Sequence, residues 1–247
     1  MASFAPEVIT YIGTFPVTNT LLNTFFVDAV LLGGVYAIKK NLSKIPGLFQ
    51  NMMELLISTF YELIESVSEK NAGKIFPYVM TFFLFILISN WSGLIPGFST
   101  IGFFIKEAGH ETEFVPIMRN ATSDANLTFA LALISLFATH MLSIQAIGLR
   151  DYLGKFFSFN PILLFVGLLE IVSEFTKVVS LSFRLFGNIY AGEVVLHTIS
   201  SIFAFIFPLP FLSLEIIVGL VQALVFSLLT MVFMAVLMTP HHTEAKH

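Results

Sequence analysis

The sequence predicts an all-α integral membrane protein, and three observations carry that prediction. Of the 247 residues, 56% are hydrophobic and 11% are charged, against roughly 25% charged in soluble domains. The mean hydropathy is +0.89. Apolar runs recur along the chain at about 20 residues each, the length that crosses a bilayer core as a helix.

The first run is LLNTFFVDAVLLGGVYAI (21–38), the second IFPYVMTFFLFILISNWSGLIPG (75–97) and the third LTFALALISLFATHMLSIQAIGL (127–149). Between the first two, Phe49, Met52, Met53, Leu56, Phe60, Leu63, Ile64 and Val67 recur at spacings of three and four, which is the period of one helix face. Glu54, Glu62, Glu65 and Glu69 fall away from that stripe, so 46–69 reads as an amphipathic helix in the plane of the membrane. An acidic polar face gives little attraction to anionic lipid. The helix is therefore expected half in the interface and half against a partner subunit.

From Pro161 to Phe207 no further proline interrupts the chain, and a helix of that length would run about 70 Å. That is twice a bilayer core, so the segment is either two spans broken near Gly187 to Gly192 or one helix lying steeply tilted. FPLPF (207–211) then makes a turn into the last apolar segment, 212–238. With one crossing in 161–207 the count is five spans plus the in-plane helix. We read residues 1–247 as a single membrane domain, with 1–20 an external segment, 46–69 the amphipathic helix and 161–239 a helical hairpin.

Lys and Arg next to span ends stay on the cytoplasmic side. Lys39, Lys40 and Lys44 follow the first run, Lys70 and Lys74 precede the second, and Arg150 and Lys155 follow the third. These stretches are expected inside, together with the C-terminal HHTEAKH. Residues 98–126 hold more Asp and Glu than Lys and Arg, and are expected outside with the N-terminus. No Lys or Arg precedes Lys39, which argues against a cleavable signal peptide. The net charge is −4 with no basic stripe, which gives no sign of nucleic-acid binding. Cysteine is absent, excluding disulfides and thiolate chemistry, and no metal or cofactor is expected.

Ionisable groups inside a membrane are costly and by default point to function. Asp28 and His140 are isolated in the first and third runs, and each reads first as a helix contact. Glu170, Glu174, Lys177, Arg184, Asn188, Glu193, His197, Glu215 and Gln222 all fall in the last two segments. Glu170, Lys177 and Arg184 differ by seven and share one helix face. Glu174 can reach Lys177 three residues on, a self-neutralised pair. Arg184 is different. Glu170 and Glu174 lie about 15 to 21 Å before it along the axis, and Glu193, nine residues after, is nearly on the opposite face. Arg184 therefore either pairs across helices, with Glu215 as a candidate, or faces a carboxylate on another chain, which is the reading we favour.

The segment LSFRLFGNIYAGE (181–193) resembles the defining stretch of the a subunit of rotary F-type ATP synthases. NWSGLIPG (90–97) and TSDANLTFALAL (122–133) are similar to two further stretches of that family, and the likeness runs from about residue 20 to 240. The resemblance implies an ion-translocating subunit without an active site of its own, with two half-channels that pass protons or sodium ions and Arg184 as the stator arginine facing the carboxylates of a rotating c-subunit ring. It implies that Asn188, Glu193, Glu215 and Gln222 line entry from outside and that Glu170 and Glu174 line the exit to the cytoplasm. It further implies long tilted last helices, peripheral-stalk b subunits as partners, and an energy-coupling membrane, most simply the bacterial plasma membrane. Two positions depart from the pattern: Val178 stands where the family more often has proline, and Glu215 where some members carry histidine. A secondary transporter would more often show repeated halves, and none is visible. A plain membrane anchor would not need Arg184, Glu193 and Glu215.

Overall fold

The computed structural model describes residues 6–95, 97, 101–105, 113–156, 161–202 and 208–239. Seven α-helices dominate them: α1 (Asn19–Lys40), α2 (Leu48–Val67), α3 (Ala72–Ser92), α4 (Ala125–Ile147), α5 (Leu149–Phe156), α6 (Pro161–Ile202) and α7 (Pro208–Met238). Two antiparallel hairpins add β1 (Val8–Ile12) with β2 (Phe15–Thr18), and β3 (Gly102–Ile105) with β4 (Glu113–Pro116). The chain is an all-helical membrane protein with these hairpins as small additions. Residues 19–40, 69–92, 125–147 and 208–238 are long and apolar enough to cross a membrane.

Several sequence expectations change in detail. The in-plane helix is shorter than 46–69, ending at Val67, and the second span starts almost at once, because Ser68 and a single 3-10 turn over Glu69–Asn71 are all that separate α2 from α3. The break allowed near Gly187 to Gly192 does not occur: α6 is one helix of 42 residues, about 63 Å long. Val178 supplies the backbone N–H that proline would lack, and it is buried within that helix. The third run ends at Gly148, whose φ of +83° closes α4, the left-handed position glycine favours after a helix. A short helix, α5, follows where a loop was expected. Residues 8–18 of the N-terminal segment fold as the first hairpin, with Gly13 at φ +67° in its two-residue turn, as such turns demand. Of the expected FPLPF turn (207–211), residues 208–211 already form the first turn of α7, since proline is tolerated at a helix start, while residues 203–207 and the C-terminal HHTEAKH lie outside the described residues.

The chain forms two compact units. The first comprises residues 1–41, 84–128 and 183–224, the second 42–83, 129–182 and 225–247. Lipid offers helices no hydrophobic reason to associate, so small and polar side chains supply the specificity. In the first unit Asn23 Nδ2 donates to Ser92 Oγ at 3.0 Å and Thr20 Oγ1 to Asp124 Oδ2 at 3.0 Å, tying α1 to α3 and to the segment before α4. Asn90 Nδ2 donates to the Gly219 carbonyl at 2.9 Å and Trp91 Nε1 to the Ile216 carbonyl at 3.1 Å, tying α3 to α7. In the second unit the Ser135 and Thr230 hydroxyls meet at 2.9 Å, and Ser143 Oγ donates to the Leu237 carbonyl at 2.7 Å. Phe60 of α2 packs at a tilt against Phe83, and Tyr61 meets Phe76 edge to face. Only part of the α2 stripe packs in this way: Phe60 and Ile64 are buried, while Phe49, Met52, Leu63 and Val67 stay exposed.

Candidate functional site

The polar residues of α6 divide by surroundings. Arg184 and Asn188, one helical turn apart, are both exposed on the chain's surface, and so is His197. The acids on the same helix, Glu170, Glu174 and Glu193, are buried or half-buried.

In the first unit, Arg119 holds Glu193. Its Nε donates to Oε1 at 3.0 Å and its Nη2 to Oε2 at 3.5 Å, the two-point fork that suits a guanidinium to a carboxylate. Arg119 comes from the segment between β4 and α4 and is itself buried. Glu215 of α7 is only 7% exposed and its carboxylate lies directly over Gly192, where a Cβ would collide with it. A glycine at 192 is what lets α7 set this acid against α6. Glu193 is near enough to act on Glu215 electrostatically. The two acids predicted to share a path therefore do come together. Gln222 stands seven residues further along α7, half-buried, on the same face as Glu215.

In the second unit, Glu174 is 7% exposed and its Oε1 accepts from Lys177 Nζ at 2.7 Å, the predicted pair. The ammonium also rests 4.6 Å from the centre of the Phe233 ring, a cation–π contact that offsets part of its desolvation. Glu174 Oε2 stands 4.0 Å from His140 Nε2, and His140 Nδ1 is hydrogen-bonded to Tyr152 Oη at 2.8 Å. Glu170, half-buried one turn before Glu174, acts on Tyr152 and Lys155 of α5. Burial, followed by the nearby Glu174 and Glu170 charges, raises the Tyr152 phenol above its ordinary range, so it keeps its proton. Burial lowers Lys155, while Glu170 opposes that shift.

Sequence reasoning missed Arg119, Tyr152 and the role of Gly192. Arg119 was visible as the one arginine of 98–126, five residues before Asp124, but nothing in its spacing links it to a glutamate 74 positions away.

Residues 21–235 match the ATP synthase A chain family. The chain belongs to that family. Among its relatives, ATP synthase subunit a of Moorella thermoacetica is 32% identical over 235 residues, covering 95% of this chain and 97% of the relative. ATP synthase subunit a 1 of Hahella chejuensis is 33% identical over 225 residues, covering 91% and 86%. ATP synthase subunit a of Legionella pneumophila (strain Philadelphia 1) is 31% identical over 225 residues, covering 91% and 88%. The A chain family is an ion-translocating part of the Fo membrane sector of F-type ATP synthases, and the matched span takes in every site residue named above. Membership makes the chain a component of that complex and sets aside the transporter and anchor readings.

Proposed function

We propose that this chain is the stator subunit that passes protons through two half-channels to and from a ring of c subunits, with Arg184 facing the ring carboxylate. The observation that carries this reading is the exposure of Arg184 and Asn188 on the surface of an apolar helix. A guanidinium presented to hydrocarbon is expensive, so the natural cover for that face is a protein surface bearing an acid. The acids form two clusters, half-buried Glu193 with buried Glu215 in one unit and half-buried Glu170 with buried Glu174 in the other. We read the first, with Asn188 and Gln222, as the entry path from outside and the second as the exit to the cytoplasm. Helix α6, about 63 Å long, exceeds a bilayer core of about 30 Å, and accommodates it by inclining along the ring.

The physics of the encounter follows from desolvation and charge. A ring carboxylate facing lipid is kept neutral, because burial penalises its charged form by several pKa units. At about 4 Å from a guanidinium it gains roughly 4 kcal/mol at an effective dielectric of 20, or about three pKa units. It then releases its proton. Arg184 cannot carry the proton itself, since guanidinium stays charged, so ions travel with the ring and not past the arginine. Each elementary charge crossing 100 mV contributes about 2.3 kcal/mol.

In this reading the residues 1–20 and the loop 98–126 face outward, 46–69 and the C-terminus face the cytoplasm of a bacterial plasma membrane, 161–239 is the translocating hairpin, and peripheral-stalk b subunits complete the stator. The test is ATP synthesis and passive proton uptake in vesicles carrying Arg184→Lys or Arg184→Ala. Both should stop coupled synthesis, the first because an ammonium lacks the planar fork and loses its proton when desolvated. Normal coupled synthesis in Arg184→Ala, alone or combined with Gln at Glu170, Glu174 or Glu215, would falsify the stator role.

A further inference from the structure

Glu174 is the most enclosed acid of the second unit, and the polar path does not stop at it. Lys177 holds Oε1 at 2.7 Å, which leaves Oε2 turned to His140 Nε2 at 4.0 Å. On the far side of the imidazole, Nδ1 is 2.8 Å from Tyr152 Oη. Three side chains from three helices thus stand in series: Glu174 on α6, His140 on α4 and Tyr152 on α5.

Helix α5 is fixed where it needs to be for this. Lys155 Nζ donates to the carbonyls of Leu237 at 2.7 Å and Thr239 at 2.8 Å, at the end of α7. The Phe156 carbonyl lies so close to Gly167 that no Cβ would fit there. Tyr152 is further held between the His140 and Phe156 rings, at 5.9 and 5.2 Å between centroids.

We propose that Glu174, His140 and Tyr152 are a proton relay, which carries the exit half-channel from the buried Glu174 of α6 to the short helix α5. The inference rests on the reading of Glu174 as an exit-path acid and adds two residues to it. With Nδ1–H donating to Tyr152 Oη, the Nε2 lone pair is the acceptor that faces Glu174. A proton on Glu174 Oε2 passes to Nε2, and the Nδ1 proton passes to Tyr152 Oη as that hydroxyl gives its own proton to water. One proton enters and one leaves, and the ring is left as the other neutral tautomer, which resets by reorienting. The 4.0 Å step exceeds a direct hydrogen bond and closes by a small turn of the carboxyl toward the ring, as proton-transfer contacts do on tightening, beside a cleft that Ser135, Thr139, Glu174 and Lys177 line. A chain of this kind passes protons and not sodium ions, so the relay commits the exit path to protons.

The contrasting role for the His140–Tyr152 bond is a lock that merely holds α5, and chemical rescue separates the two. The experiment uses the whole ATP synthase in inverted vesicles, with c-ring co-purification as the check on assembly. Tyr152→Phe keeps the ring contacts and removes the hydroxyl, and His140→Ala leaves room for a free imidazole. Each should lower passive proton flux on the order of a hundredfold, the low end of what a positioned proton-transfer group contributes. Imidazole in the medium should restore flux to His140→Ala and not to Tyr152→Phe, and the double variant should be no slower than the slower single one. Flux within about twofold of the unaltered chain in the assembled Tyr152→Phe complex overturns the relay, as does a loss in His140→Ala that imidazole leaves unchanged. Should His140→Ala fail to assemble, His140→Gln takes its place: its amide still meets the Tyr152 hydroxyl but cannot pass a proton, so the relay predicts the same loss, and flux within about twofold of the unaltered chain overturns it. Arg184→Ala in the same vesicles separates the two readings: its normal coupled synthesis would remove the stator role, whereas its loss beside a normal Tyr152→Phe removes only the relay.

Discussion

Residue 192 has room for a hydrogen and nothing larger, because the Glu215 carboxylate occupies the place of a side chain. Alanine is intrinsically the better helix former by about 1 kcal/mol, so a loss on substitution reports the collision and not propensity. Gly192→Ala should lower ATP-driven pumping in inverted vesicles roughly tenfold, the effect of displacing an ion-path group by about 1.4 kcal/mol in barrier. Gly34→Ala, where a Cβ meets nothing within 4 Å, should leave pumping unchanged. Equal pumping in the two variants would remove Glu215's seat on Gly192 from the account. At this scale the sequence was legible where a charge contradicted its surroundings, as with Arg184, Glu193 and Glu215 in apolar runs. It was not legible for Arg119, whose loop holds other charges beside it, nor for His140 and Tyr152, whose bond depends on where α5 lies.

Helix α5 is the element least visible in advance. Its eight residues, LRDYLGKF, are too few and too polar to announce themselves as a helix, and the chain turns into it through the left-handed Gly148. The hairpins escaped for a similar reason, since strands of four or five residues carry little periodicity. Helix α6 was legible in length but not in continuity: glycines at 187 and 192 suggested a break, yet one of them serves as a seat for an acid. What holds α5 is testable through Lys155, which supplies donors to two carbonyls at the end of α7. Hydrogen bonds from a charged group are worth about 1.5–3 kcal/mol, and each 1.36 kcal/mol is tenfold in an equilibrium. Lys155→Met should therefore raise amide hydrogen exchange across 149–156 by about tenfold or more while 161–202 is unchanged. Unaltered exchange in α5 would show that packing of Phe156 and Tyr152 alone holds it.

For the whole molecule, composition settled the class: with 11% charged residues the chain has too few to cover a soluble surface. The spans follow from run lengths. The site follows from the few charges that the runs tolerate. Their grouping into two clusters needed the structure, because each depends on a contact between residues far apart in sequence, Glu193 with Arg119 and Glu174 with His140. The central claim is that the face of α6 bearing Arg184 meets a ring of c subunits, and the absence of cysteine from the native chain makes it directly measurable. Asn188, exposed one turn beyond Arg184, and Leu185, 1% exposed beside it, are replaced singly by cysteine. Each is oxidised in membranes against a c subunit with one cysteine a turn from its carboxylate. The account predicts a cross-link to c from Asn188→Cys and none from Leu185→Cys. No cross-link from Asn188→Cys, or an equal one from both positions, would contradict it.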